Sequence, residues 1–123
     1  MGNPVIHFEI AGRDGHELEH FYRSLFDWDI DHRGTDEHGY GFVQNGSAGP
    51  IGGGIRHEPA GGPEVVVYVE VDSLEESLEH AMSLGATVRI QAVDTGSVRF
   101  AMITDPEGNP VGLIERATDP SDE

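Results

Sequence analysis

A tripeptide returns at half-length: Leu18-Glu19-His20 appears again as Leu78-Glu79-His80, sixty positions on. Each copy sits in a stretch with the apolar period of a helix, and each stretch follows an alternating, strand-like run. Repetition of one supersecondary unit along a single chain is therefore the expected architecture. The first helix is predicted over residues 16–26, with Leu18, Phe21, Tyr22 and Leu25 on one stripe. Asp14 and Glu17 have capping-box spacing at its start, and Asp27, a residue that tolerates the left-handed conformation, stands at its end. The second is predicted over residues 73–84, with Leu74, Leu78, Ala81 and Met82 on its stripe. Asp72 and Glu75 form its predicted cap, and Gly85 supplies the stop.

Residues 5–10 alternate, with Ile6, Phe8 and Ile10 on one face and Val5, His7 and Glu9 on the other. Residues 65–71 do the same, setting Val65, Val67, Val69 and Val71 against Val66, Tyr68 and Glu70. The wholly apolar faces are expected under the helices, and the mixed faces towards a second sheet or a cavity. Further strand-like segments cover residues 28–33, 40–45 and 51–55, then 88–93, 98–104 and 111–115. The order is βαβββ twice, an α+β fold of two modules. A single ferredoxin-like unit is excluded, since it places only two strands between its helices. Module one is expected over about residues 4–58 and module two over about 64–116, joined by the glycine- and proline-rich stretch 59–63. Residues 117–123 are acidic, lack an apolar pattern and are expected to be a disordered tail.

Charge narrows the function. Seven arginines and no lysine face twenty-three acidic residues, for a net charge of −16, and there is no cysteine. Disulfide scaffolds, zinc ribbons and thiol nucleophiles are excluded. A field this negative repels phosphate and anionic lipid, so neither nucleic acid nor a membrane surface is an expected partner. No stretch approaches the ~20 apolar residues that cross a bilayer, and no secretory signal opens the sequence, so a cytoplasmic protein is expected. The acidity has two readings, halophilic adaptation to a high-salt cytoplasm or attraction of a cationic small molecule. Carboxylates spread along the chain favour the first.

Two stretches carry a family resemblance: His7-Phe8-Glu9-Ile10 followed by Phe21-Tyr22-Arg23-Ser24-Leu25-Phe26-Asp27-Trp28, and Asp105-Pro106-Glu107-Gly108-Asn109-Pro110-Val111-Gly112-Leu113-Ile114-Glu115. With paired βαβββ modules, they make the chain resemble the vicinal oxygen chelate superfamily, which includes glyoxalase I, extradiol dioxygenases and the fosfomycin- and bleomycin-resistance proteins. The resemblance spans about residues 4–116. It implies a homodimer, with each module a curved mixed sheet that carries its helix on the outer face and opens a concave cavity on the other. It also implies a divalent metal held by four side chains, one from the first and one from the last strand of each module. His7 matches one ligand position. Gly53 or Gly54, Val66 and Gly112 stand at the other three, so the standard four-ligand site is not encoded.

Other chemistry comes from the residues themselves. His7 and Glu9 form an H-x-E pair on one strand face, a spacing that can offer two ligands to one divalent metal ion. Glu70, Gln44 and Glu115 are the available third donors. The other reading is a histidine hydrogen-bonded to Glu9 or to a carbonyl, able to transfer protons without a metal. Tyr68, Glu70 and Gln44 are the expected ligand-binding residues, with Tyr68 donating to or stacking on a planar ligand, or simply filling core. The Gly52-Gly53-Gly54 run lacks the lysine and the following helix of a phosphate loop, and reads as a bulge or a close approach. His16, His20, His32, His38, His57 and His80 share no evident face and are expected to be solvated.

The function expected from these readings is binding of a small organic molecule in the cavity, with lyase or isomerase chemistry beside a carbonyl through His7 and Glu9. The alternative is a non-catalytic protein that sequesters a drug or metabolite.

Overall fold

A computed structural model describes residues 2–35, 38–44 and 51–117. The elements follow the predicted order: β1 (Val5–Gly12), α1 (Gly15–Phe26), β2 (Asp29–Arg33), β3 (Tyr40–Gln44), β4 (Gly52–His57), β5 (Glu64–Val71), α2 (Leu74–Ser83), β6 (Thr87–Asp94), β7 (Arg99–Thr104) and β8 (Pro110–Glu115). The fold is α+β, two βαβββ modules. No helix among the described residues is long and apolar enough to cross a membrane. Apart from exposed Ala117, the predicted tail lies outside the described residues, as does Asn45.

Two compact units divide inside β5, one spanning Ile6–Val66 and the other Val67 onwards together with the segment up to Val5. The leading segment is tied to β5, where the Glu70 amide donates to the Pro4 carbonyl at 2.9 Å and the Asn3 amide donates to the Glu70 carbonyl at 2.9 Å. Residues 59–63 carry no regular structure.

In the first unit the strands lie in the order β2-β3-β4-β1. β1 and β4 are parallel, with His7 opposite Gly52 and Glu9 opposite Gly54, while β2–β3 and β3–β4 are antiparallel. One sheet face packs against α1 through Ile30, Val43 and Ile55, with Phe8, Ile10, Leu18, Tyr22 and Trp28 around them. Phe8 and Ile10 thus take the face predicted for them, and alternation sends His7 and Glu9 to the other.

The helix itself sits differently. The Asp14 side chain accepts from the Glu17 amide at 3.0 Å, and Asp27 closes the C-terminus at φ 59°, as the sequence suggests. But Phe21 and Leu25 are more than half exposed, while Gly15 and Glu19 are buried. The inward stripe is Gly15, Leu18, Glu19 and Tyr22, the same i, i+3, i+4, i+7 spacing turned so that a carboxylate faces the sheet.

In the second unit the order is β5-β8-β7-β6, with β5 parallel to β8 and the other pairs antiparallel. Val71, Leu74, Leu78, Ala101 and Leu113 form its core, with Val69, Val88 and Ile103 packed around them. Val69 and Val71 lie in this core, as expected of their face, but Val65 and Val67 are exposed and Met82 turns outward. The predicted Asp72 cap is also displaced: Ser73 is the N-cap and accepts from the Glu76 amide at 3.2 Å. The Glu115 carboxylate takes the Leu74 amide at 3.0 Å, satisfying another open N–H of that first turn. Gly85 has φ +101°, the left-handed stop predicted for it.

Candidate functional site

On the face of the first unit turned away from α1, four side chains form one hydrogen-bonded chain. The Tyr40 hydroxyl donates to Glu9 Oε2 at 2.9 Å and lies 2.9 Å from His7 Nε2. The Arg56 guanidinium donates to Glu9 Oε1 at 2.5 Å and to Glu64 Oε2 at 2.8 Å, and lies 3.3 Å from the Glu58 carboxylate. Glu9 is 6% exposed, a carboxylate almost removed from water but fully engaged. Sheet register makes the grouping: Glu9 is opposite Gly54, and across the next ladder Tyr40 is opposite Arg56.

The chain of bonds assigns a tautomer. The single Tyr40 proton goes to Glu9, so the bond between His7 and Tyr40 is donated by His7 Nε2–H, and the ring's lone pair is on Nδ1. Burial lowers the His7 pKa below the ordinary 6.5, more than the Glu9 charge raises it. The imidazole is therefore neutral at pH 7, the form that can take a proton. Burial works against the Arg56 charge, yet hydrogen bonding to Glu64 and the charges of Glu9, Glu64 and Glu58 outweigh it and raise the Arg56 pKa. The sequence places Tyr40 at the start of the strand-like segment 40–45 without assigning it a face or a role, and Arg56 falls outside the predicted strand 51–55. Its alternation with the glycines of β4 is the signal that could have found it.

The residues at the four ligand positions do not fit the divalent metal that the superfamily resemblance implies. Gly53 faces the core, where an added Cβ would overlap the Phe8 ring, whereas Gly54 shares the face of His7. A Cβ on Gly54 would overlap the Tyr40 hydroxyl. The second unit repeats the substitution, since a Cβ on Gly112 would overlap the Tyr68 ring. In each module a tyrosine fills the space that a last-strand ligand would enter, and Val66 is a buried hydrocarbon. The His7–Glu9 pair is no better suited to a cation, because Arg56 already occupies one carboxylate oxygen and Tyr40 the other.

Of the other expected ligand-binding residues, Gln44 is exposed at the end of β3, beyond Phe42 on the same face. Tyr68 and Glu70 belong to the second unit. Tyr68 is buried over Gly112. Glu70 lines an open depression of about 360 Å³ with Ser97, Arg99, Ile114, Glu115 and Arg116.

The expectation that the remaining histidines are solvated fails for His32 and His57. His57 is 5% exposed and its Nε2 lies 2.5 Å from Glu19 Oε2, while His32 Nδ1 lies 2.8 Å from the same oxygen. His16 packs beside both, its ring centroid 5.1 Å from that of His32 at a tilt and 4.9 Å from that of His57 edge-on. Burial opposes the Glu19 charge, but the hydrogen bonds and charges of His32 and His57 prevail and lower its pKa. This cluster is on the helix side of the sheet, opposite His7. Its sequence signal was the alternation of Ile30 with His32 and of Ile55 with His57, together with His16 and Glu19 at i, i+3.

Comparison with known proteins agrees with the fold. The family described as a glyoxalase-like domain matches residues 7–114. No curated protein matches the chain. Among solved structures, a hypothetical protein from Bacillus halodurans C-125 is similar with a TM-score of 0.73 at 13% identity, covering 97% of this chain and 98% of that one. Methylmalonyl-CoA epimerase from Mycobacterium tuberculosis is similar with a TM-score of 0.65 at 16% identity, covering 97% and 91%. A Streptomyces coelicolor methylmalonyl-CoA epimerase in complex with 2-nitronate-propionyl-CoA gives 0.68 at 15% identity, covering 94% and 99%.

Proposed function

Because the chain belongs to the glyoxalase-like domain family, within the vicinal oxygen chelate superfamily, we propose that it is a cytoplasmic, homodimeric lyase or isomerase that moves a proton next to the carbonyl of a small organic molecule. The observation that carries this reading is the His7–Tyr40–Glu9–Arg56 chain on the face away from α1. His7 Nδ1 takes the proton from the carbon beside the carbonyl, and the C–H electron pair moves into the enolate. The positive charge that forms on the imidazole is balanced through the Tyr40 hydroxyl by Glu9, which Arg56 holds in place. Return of a proton to the opposite face of the same carbon, from solvent or from His7 after the enolate turns over, inverts that centre and gives an isomerase. Loss of a group from the next carbon gives a lyase. Within the same unit, Gln44, exposed further along β3 on the Tyr40 face, is the residue that meets a polar edge of the ligand.

Similarity to an epimerase supports proton transfer beside a carbonyl, but the charge of this chain argues for a different substrate from a CoA ester. Arg56, the cation of the chain, is outnumbered by the carboxylates of Glu9, Glu58 and Glu64, and the whole molecule carries −16. A neutral or cationic carbonyl compound suits that field, and a polyphosphate handle does not.

The test is hydrogen–deuterium exchange at carbon in deuterium oxide, followed by NMR over a panel of neutral and amine-bearing ketones and esters. Exchange that falls on the order of 10²-fold or more in His7→Gln is the expected result. Stoichiometric binding of an amine-bearing member with no exchange would instead establish the sequestering function, which the surplus of carboxylates around Arg56 favours. No exchange and no binding across the panel overturns both.

A further inference from the structure

We infer that His16, Glu19, His32 and His57 form a structural metal site that takes one divalent transition cation of the zinc class, on the opposite side of the sheet from His7. Each of the four offers one ligand atom, and these atoms all lie within 4.8 Å of one another. They converge from three elements: His16 and Glu19 from α1, His32 from β2 and His57 from β4. Around an ion with bonds of about 2.0–2.1 Å, tetrahedral donors stand roughly 3.3 Å apart, so small side-chain movements close the site.

The surroundings are shaped for these side chains. A Cβ on Gly15 would overlap the His57 ring, and one on Gly39 would overlap the His32 ring. A Cβ on Gly41 would come within 3.0 Å of the Glu19 carboxylate. Three glycines from two parts of the chain, the start of α1 and the start of β3, thus make room for one cluster. The turn of α1 that buries Glu19 at 1% exposure, leaving Phe21 and Leu25 in solvent, serves the same end.

The donors are also held ready. Arg23 donates to Glu19 Oε1 at 3.3 Å and to the Ile30 carbonyl at 2.8 Å, an outer partner that orients the carboxylate. His32 Nε2 is buried and has no hydrogen-bond partner among the described residues, so the ring can move its proton there and free Nδ1, the nitrogen beside Glu19, for a cation without breaking another bond. Three imidazoles and one carboxylate without sulfur select zinc, cobalt(II) or nickel(II) over calcium and magnesium, which require more oxygen donors. Four protein ligands complete a tetrahedron and leave no position for substrate, so the role is structural. Such an ion would pin α1 to β2 and β4. His16 is the exposed member through which it enters.

The whole chain, freed of metal with a chelator, is titrated with cobalt(II) and read by the visible absorption of the tetrahedral ion, then with zinc to displace it. One equivalent per chain, a rise in melting temperature and release of protons on binding are expected. His16→Ala, at an exposed position, should keep the fold by circular dichroism and weaken cobalt affinity about 10-fold or more. Glu19→Gln should abolish it, and His7→Ala should leave it unchanged. The inference is overturned if the wild type shows no tetrahedral cobalt spectrum, or if His16→Ala binds as tightly as the wild type. Loss of binding in His7→Ala also overturns it, by moving the ion to the other face.

Discussion

His7 sets the pH behaviour of the proposed chemistry. Its pKa is lowered by burial, so the neutral base persists below the ordinary 6.5 and the acid limb of kcat/KM should fall beneath that value. Stability has the same sign. The unfolded chain takes up a proton near 6.5 that the native ring resists, so this contribution is complete above 6.5 and is lost as pH falls through the folded value. A pH–rate profile with its acid limb above 6.5 would count against His7 as the base. Tyr40 is tested through its glycine. Gly54→Ala drives a methyl group into the Tyr40 hydroxyl and should disrupt the same relay that Tyr40→Phe removes. Each single variant should lose carbon-exchange activity, and the double variant should lose little more than the worse single one. Additive losses would mean that Gly54 and Tyr40 act separately. Of these residues, His7 and Glu9 were legible because a two-residue period fixes a common face. Tyr40 and Arg56 were not, because their meeting depends on register across β3 and β4, which depends in turn on loops of no fixed pattern.

Among the elements, the helices show both the reach of local signals and their limit. Caps are local: Asp14, Asp27 and Gly85 act where their chemistry says they should, and the one error, Asp72 for Ser73, is a shift of a single residue. Ser73→Ala should therefore cost about 1 kcal/mol in urea denaturation, whereas Asp72→Ala should cost far less. Equal losses would contradict Ser73 as the cap. Helix orientation is not local. An apolar stripe at Leu18, Phe21, Tyr22 and Leu25 describes a sensible core face, yet Glu19 faces inward because His32 and His57 wait on the sheet. A carboxylate that finds two imidazoles and an arginine outweighs the burial of two apolar side chains, and no window of a dozen residues contains that information. Glu19→Leu makes the contest measurable. It should destabilise by more than 2 kcal/mol, since it leaves His57 buried without its partner, although it improves the apolar pattern. A stabilised Glu19→Leu variant would show that the cluster contributes nothing to the choice of helix face.

For the molecule as a whole, the same turn of α1 leaves Phe21, Leu25 and Phe26 about half exposed on one helix. Apolar side chains in solvent are consistent with the proposed homodimer, and replacing Phe21 and Leu25 together by serine should shift the sedimentation of the chain towards the monomer if this surface is the contact. Charge bears on stability more broadly. Seven arginines cannot neutralise twenty-three carboxylates, and two of them each gather several acids, Arg99 taking Glu75 and Glu115 and Arg56 taking Glu9, Glu58 and Glu64. The remaining carboxylates repel one another over distances that salt shortens from about 10 Å at 0.1 M to about 3 Å at 1 M. Repulsion is greater in the compact state than in the expanded one, so screening should favour folding. If the acidity is an adaptation to brine, the melting temperature should rise steadily from dilute buffer to molar potassium chloride. Substituting a few exposed acids with lysine should then raise stability in dilute buffer and flatten the salt dependence. A melting temperature indifferent to salt would remove the brine reading and leave ligand attraction as the account of the charge, tested in turn by tighter binding of amine-bearing carbonyl compounds at low ionic strength.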